Sequence, residues 1–211
     1  MKNRFYLFLC LAGLLTLVAC SKDDEPYPAL ITEMAMSSSD AQCMFTTFTT
    51  DGGRTFQMSN TIKGPTPNVR WRFLCGYVPE SETTAHVYTF IHIPLLADYS
   101  PTKQNHHDPT GFASIWKSGG YLNLHLLPKT QGGKQAWGFL RDSTHVNDAG
   151  GTNHYLSLFH HQMADVAAYS DDLYVSIDLD SISASRQPED SIILSINTFS
   201  GWRSWSYTAQ D

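Results

Sequence analysis

Tyr121-Leu122-Asn123-Leu124-His125-Leu126 reads as a strand with one apolar face. Side chains alternate along an extended backbone, so Leu122, Leu124 and Leu126 share one side and Tyr121, Asn123 and His125 the other. The same period returns in Tyr155-Leu156-Ser157-Leu158 and in Leu173 to Leu179, where Leu173, Val175, Ile177 and Leu179 align. Ser191 to Asn197 is more apolar, as a central strand should be, and Trp202 to Tyr207 closes the series. Between them lie turn signals. Lys129 to Lys134, with Gly132-Gly133, reads as a long hairpin tip returning into Ala136–Leu140; Asn147 to Asn153 reads as a second turn. Short strands punctuated in this way predict an antiparallel β-sandwich over residues 108–211. Gln162 to Ala168 has room for one helical turn.

The residues upstream are also β-rich. Cys43 to Thr49 carries β-branched and aromatic residues, Asp51-Gly52-Gly53 turns, and Thr55 to Met58 resumes. Val69, Trp71 and Phe73 fall on one face of a strand, with Arg70 and Arg72 on the other. His86 to Ile93 is a longer strand ending at Pro94. About five strands in so short a span predict a small OB-like β-barrel over residues 30–97. The fold class is therefore all-β, a small barrel followed by a sandwich. Asp98 to Asp108, rich in Pro, Asn and His, is read as the loop between them.

The N-terminal end is of a different kind. Lys2 and Arg4 precede an apolar run from Phe5 to Val18, and small Ala19 precedes Cys20. A basic flank, an apolar core too short to span a bilayer and a small residue at the cut describe a signal peptide over residues 1–19. With Cys20 at the cut, the segment resembles a bacterial lipoprotein signal, which implies acylation (palmitate among the chains) of Cys20. Residues 20–29 form a polar tether. In it Lys22, Asp23, Asp24 and Glu25 resemble the acidic tag that exports lipoproteins to the outer face of the outer membrane. The expected partners are the membrane, through the lipid, and a protein or glycan at the cell surface.

The lipoprotein signal, the acidic tag, the barrel and the Tyr-Leu-x-Leu strands together resemble the NigD-like lipoproteins. Tyr121–Leu124, Tyr155–Leu158 and Tyr174–Leu179 carry the likeness. The resemblance implies an N-terminal OB-type domain, a C-terminal β-sandwich and an association with bacteriocin loci. It implies no catalytic residues.

Composition narrows the function. The formal charge is −6, and loss of Lys2 and Arg4 makes it more negative. An acidic chain does not gather polyphosphate, so no nucleic-acid partner is expected. No nucleophile elbow, His-Glu-x-x-His pair, phosphate loop or dinucleotide fingerprint occurs. No cofactor is expected.

Several side chains remain as candidates. His86, Tyr88, Phe90 and His92 alternate onto one face of their strand, leaving Val87, Thr89, Ile91 and Ile93 for the barrel interior. That stripe is read either as the face packed against the sandwich or as a ligand surface. His106, His107 and Asp108 could offer metal ligands from an irregular loop, though no partner ligand follows at a recognised spacing. His160-His161 should send one ring in and one out. Asp178 and Asp180 share a strand face and could hold calcium. Ser143, Ser181 and Ser191 each follow an Asp in a triplet resembling a short bacterial O-glycosylation motif. Cys43 and Cys75 could form a disulfide or remain two buried thiols.

Two readings of function follow. The leading one is a non-enzymatic surface lipoprotein that binds a protein or glycan. The alternative is a metal-dependent hydrolase using His and carboxylate residues.

Overall fold

The computed structural model describes residues 29–183 and 187–208. The signal peptide, Cys20 and the tag residues Lys22, Asp23, Asp24 and Glu25 lie outside them.

The barrel is built from β1 (Ile31–Ser38), β2 (Met44–Thr50), β3 (Thr55–Lys63), β4 (Arg70–Pro79) and β5 (Thr84–Ile93). They close in the order β1-β2-β3-β5-β4. β4 pairs with β1 over eight residues, from Ile31 opposite Tyr77 to Ser38 opposite Arg70. The interior is aromatic: Phe45, Phe48, Phe56, Phe73 and Tyr77 fill it. Phe73 and Phe90 stack with ring centroids 3.7 Å apart. Cys75 is buried in this core and Cys43 lies half-buried, and both are free thiols. Burial pushes the Cys75 thiol up to about 12, which makes it an inert apolar residue.

The chain leaves β5 at Pro94 and joins the sandwich at once. Ser176 N–H donates to Pro94 O, and Leu96 N–H donates to Ser176 O. Leu96 is buried in the sandwich core. β6 (Ala97–Asp98) pairs in parallel with β10 (Ala136–Val146). The segment expected as a bare loop, 98–108, lies along the sandwich. Tyr99 stacks on Phe159 at 4.1 Å, and Arg141 Nε donates to Asp98 at 2.7 Å.

The larger sheet of the sandwich runs β15-β14-β11-β10-β6, with β11 (Thr152–His161), β14 (Ser191–Thr198) and β15 (Gly201–Thr208). The smaller runs β13-β8-β7, with β7 (Gly111–Ser118), β8 (Tyr121–Leu127) and β13 (Leu173–Asp178). β9 (Lys129–Thr130) and β12 (Tyr169–Ser170) pair separately. Leu122, Leu124 and Leu126 meet Leu156, Leu158, Leu194 and Ile196 between the sheets. The apolar faces expected from alternation are the ones that make the core.

Three details differ from the strand-by-strand expectation. Residues 129–134 do not cap a hairpin, because β8 belongs to the small sheet and β10 to the large one. The segment is a crossover. β11 and β14 run parallel, since the chain visits the small sheet through β13 before returning. Gln162–Ala168 is not helical; a single turn, α1 (Leu179–Ile182), follows β13 instead. Asp178 is its N-cap, accepting from Asp180 N–H at 3.0 Å, so Asp178 and Asp180 do not share a strand face.

One side chain bolts the barrel to the sandwich. Arg72 faces away from the barrel interior yet is only 1% exposed. Its guanidinium grips Asp51 with Nη1 at 2.8 Å and Nη2 at 2.6 Å. Nε donates to Ser176 Oγ and Nη2 also donates to Asn123 Oδ1. The group lies 3.9 Å above the ring of Tyr121. Asp51 accepts from Ser118 as well. A Cβ at Gly119 would sit 2.5 Å from Asp51 Oδ1, so the β7–β8 turn needs glycine there.

Candidate functional site at the loop end of the sandwich

At one end of the sandwich four connections meet: the approach to β7, the 128–135 crossover, the 162–168 loop and the β14–β15 turn. Asp165 organises two of them. It accepts from Thr130 Oγ1, from the Gln131 and Gly133 N–H groups and from Gln135 Nε2. These bonds hold its carboxyl well below the usual carboxylate range. The segment before β7 is tied to the same end. His160 N–H donates to His106 O, Asp108 N–H to His160 O, and Gln162 N–H to Asp108 Oδ2. Asn197 Nδ2 reaches His107 O at 2.7 Å.

On this fixed platform large apolar groups face solvent. Phe199 is 51% exposed and Trp202 55% exposed; Met163, Val166 and Tyr169 are exposed as well. Lys129 Nζ stands 5.4 Å from the centre of the Phe199 ring. His107 meets Trp202 edge-on at 5.1 Å. A groove of about 380 Å³ runs among Phe112, Leu127, Lys129, Phe199 and Arg203, and no Asp or Glu among the described residues lines it. Exposed aromatics beside Lys and Arg on a rigid support are what anchor residues of interfaces look like before a partner arrives. Periodicity does not announce them, because it reports which side faces a core and not which exposed residues congregate.

The stripe His86, Tyr88, Phe90 and His92 does not form one face, and the barrel does not use it to dock on the sandwich. A β-bulge interrupts it: Gly76 lies opposite Thr89 but Tyr77 opposite Val87, so Tyr88 is the extra residue. The alternation shifts by one. Val87 is interior, but Phe90 turns into the barrel, stacked on Phe73, and Ile91 turns out. Tyr88 is left 63% exposed. His86 bonds Ser59 Oγ, and His92 rests against Trp71 at 4.6 Å.

His106, His107 and Asp108 point apart. The His106 ring stacks on His161 at 3.8 Å, His107 Nδ1 bonds Leu158 O at 3.0 Å, and Asp108 caps Gln162. Among the described residues, no three His, Cys, Asp or Glu side chains gather in a way that could hold a metal. His160 is buried, stacked on Trp137, with Nε2 bonded to Gln135, and burial lowers its pKa; His161 is half-exposed. Ser143 sits exposed on β10 rather than in a loop. Ser181 is exposed on α1, its hydroxyl donating to Asp178 O, and Ser191 is half-buried at the start of β14.

Comparison with known proteins gives the family. No curated protein matches. Among solved structures the chain is similar to a NigD-like immunity protein from Bacteroides caccae, at 21% identity and TM-score 0.65, over 87% of this chain and 99% of the other. It is similar to a protein described as toxin-related from Parabacteroides distasonis, at 15% identity and TM-score 0.65, over 85% and 92%. It is also similar to a protein described as a lipoprotein from Bacteroides fragilis, at 12% identity and TM-score 0.59, over 85% and 96%. At such identities these likenesses establish the fold alone. The family model for the NigD-like C-terminal beta sandwich domain matches residues 93–208, more than half of the sequence, and the chain belongs to the NigD-like family.

Proposed function

We propose that the chain is a non-enzymatic lipoprotein of the outer membrane surface that binds a protein partner through the loop end of its sandwich. The observation that carries this reading is the exposed Phe199 ring, with Lys129 near it and Arg203 beside it at a groove without carboxylates; exposed Trp202 stands on the opposite face of the same hairpin, against His107. Burying Phe199 under a partner that wraps the hairpin to reach Trp202 would supply the aromatic anchors that interface energetics favour. The lipid on Cys20 would hold the molecule at the membrane, and the likeness to a lipoprotein supports the lipid anchor. The likeness to an immunity protein makes a toxin polypeptide the first partner to test. The titratable side chains lining the groove are Lys129 and Arg203, which suit the anionic groups of a partner.

The test is calorimetric titration of the purified full-length chain with a bacteriocin polypeptide. The double substitution Phe199→Ala, Trp202→Ala is expected to weaken binding by about tenfold or more, as for central aromatic anchors. Unchanged affinity would remove this face from the account.

A further inference from the structure

Strand β15 is an open sheet edge of unusual length for this molecule. It pairs with β14 without interruption from Ser191 opposite Thr208 to Thr198 opposite Gly201. Nothing pairs on its other side among the described residues. The direction of its free groups follows from the turn. Thr198 and Gly201 flank a two-residue connection, so they form a hydrogen-bonded pair. Bonded pairs then recur at Arg203, Trp205 and Tyr207. The N–H and C=O groups of Trp202, Ser204 and Ser206 therefore point away from β14, towards solvent. The Lys117 ammonium reaching Thr208 O at 3.0 Å fits the same alternation.

Folded proteins usually blunt such an edge, and the other edges here are blunted. β6 has two residues, and the part of β10 that it leaves uncovered carries a bulge between Arg141 and Ser143. The edge of β13 is covered by Pro94–Leu96. β7 carries a bulge between Phe112 and Ser114. β15 has eight residues, no proline, no bulge and one charge. Arg203 and Lys129 line the groove beside it, together with Phe112, Leu127 and Phe199.

We propose that β15 is a docking edge that takes an extended acidic segment of the protein partner as an added β-strand. The backbone of Trp202, Ser204 and Ser206 supplies the ladder. Alternate partner side chains enter the groove, apolar ones against Phe112 and Phe199 and carboxylates against Arg203 and Lys129. Charge favours this occupant over a second copy of the chain, which would bring its own Arg203 and Lys129 to the same edge. The inference rests on the partner-binding reading and specifies the mode.

The probe is a labelled ten-residue peptide with Ser at every second position and Glu and Val taking turns at the positions between, so that one face carries both; it is titrated by fluorescence anisotropy against the full-length chain. Methylating alternate backbone nitrogens of the peptide, on the edge-facing side, removes several ladder bonds and is expected to weaken binding by about tenfold or more. Ser204→Pro should do the same while leaving the melting temperature unchanged, since an outward N–H is the one place an edge strand accepts proline. The same peptide with Lys in place of each Glu should not bind. The inference is overturned if the methylated peptide binds as well as the plain one, or if polygalacturonate displaces the peptide and binds the proline variant equally. It is overturned as well if the chain dimerises and Ser204→Pro makes it a monomer. Loss of binding in Phe199→Ala, Trp202→Ala but not on methylation would spare the partner-binding reading and sink the added strand.

Discussion

Arg72 of the barrel and Asp51 of the β2–β3 turn form a bidentate ion pair, buried where the barrel meets the sandwich. Both ends are shared with the sandwich, through Asn123, Ser176 and Ser118. Removing one member would leave the other charged and desolvated. Arg72→Ala is expected to cost about 3–5 kcal/mol, the usual cost of breaking a buried pair. Thermal unfolding should show barrel and sandwich losing stability together. A loss confined to the barrel transition would contradict a shared junction.

Asp165 makes a pH prediction. Hydrogen bonds hold its folded carboxyl below the ordinary value, so its contribution is complete above the unfolded pKa of about 3.9 and fades as pH falls beneath it. Above that pH, Asp165→Asn should speed hydrogen exchange at the Gln131 and Gly133 amides, whose acceptor it is. Exchange as slow as in the parent chain would show that the crossover is held by other contacts.

The bulge at Tyr88 separates two neighbours that strict alternation would make equivalent. Tyr88→Ala removes an exposed ring and should change stability by no more than about 0.5 kcal/mol. Phe90→Ala removes a ring stacked on Phe73 and should cost at least about 2 kcal/mol. Equal costs in chemical denaturation would mean that both rings share one environment.

Cys20→Ser should leave an unprocessed or released chain, because the acylated thiol is the expected anchor. Fractionation and intact mass report the outcome. A variant that stays membrane-bound at unchanged mass would contradict lipidation at this position.

The contrast between Leu122 and Tyr88 shows how far the sequence can be read. Leu122, Leu124 and Leu126 alternate and are buried as alternation requires, because a half-buried strand repeats every two residues whatever its neighbours do. Tyr88 fails that rule because one extra residue in β5 is compensated only across the ladder, in β4. Arg72 points outward as read, but its cover comes from residues more than fifty positions away. The crossover at 129–134 carries hairpin-like glycines, and only the choice of sheet distinguishes it from a hairpin. The loop-end face is the least legible: Lys129, Asp165 and Phe199 belong to three separate connections brought together by the two sheets.

The central claim is the location of the partner face, and hydrogen–deuterium exchange of the full-length chain with and without a bound protein partner tests it most directly. The account predicts slowed exchange across residues 199–206 and 129–134, with residues 86–92 unaffected. Protection of the barrel segment 86–92, with 199–206 unchanged, would contradict it.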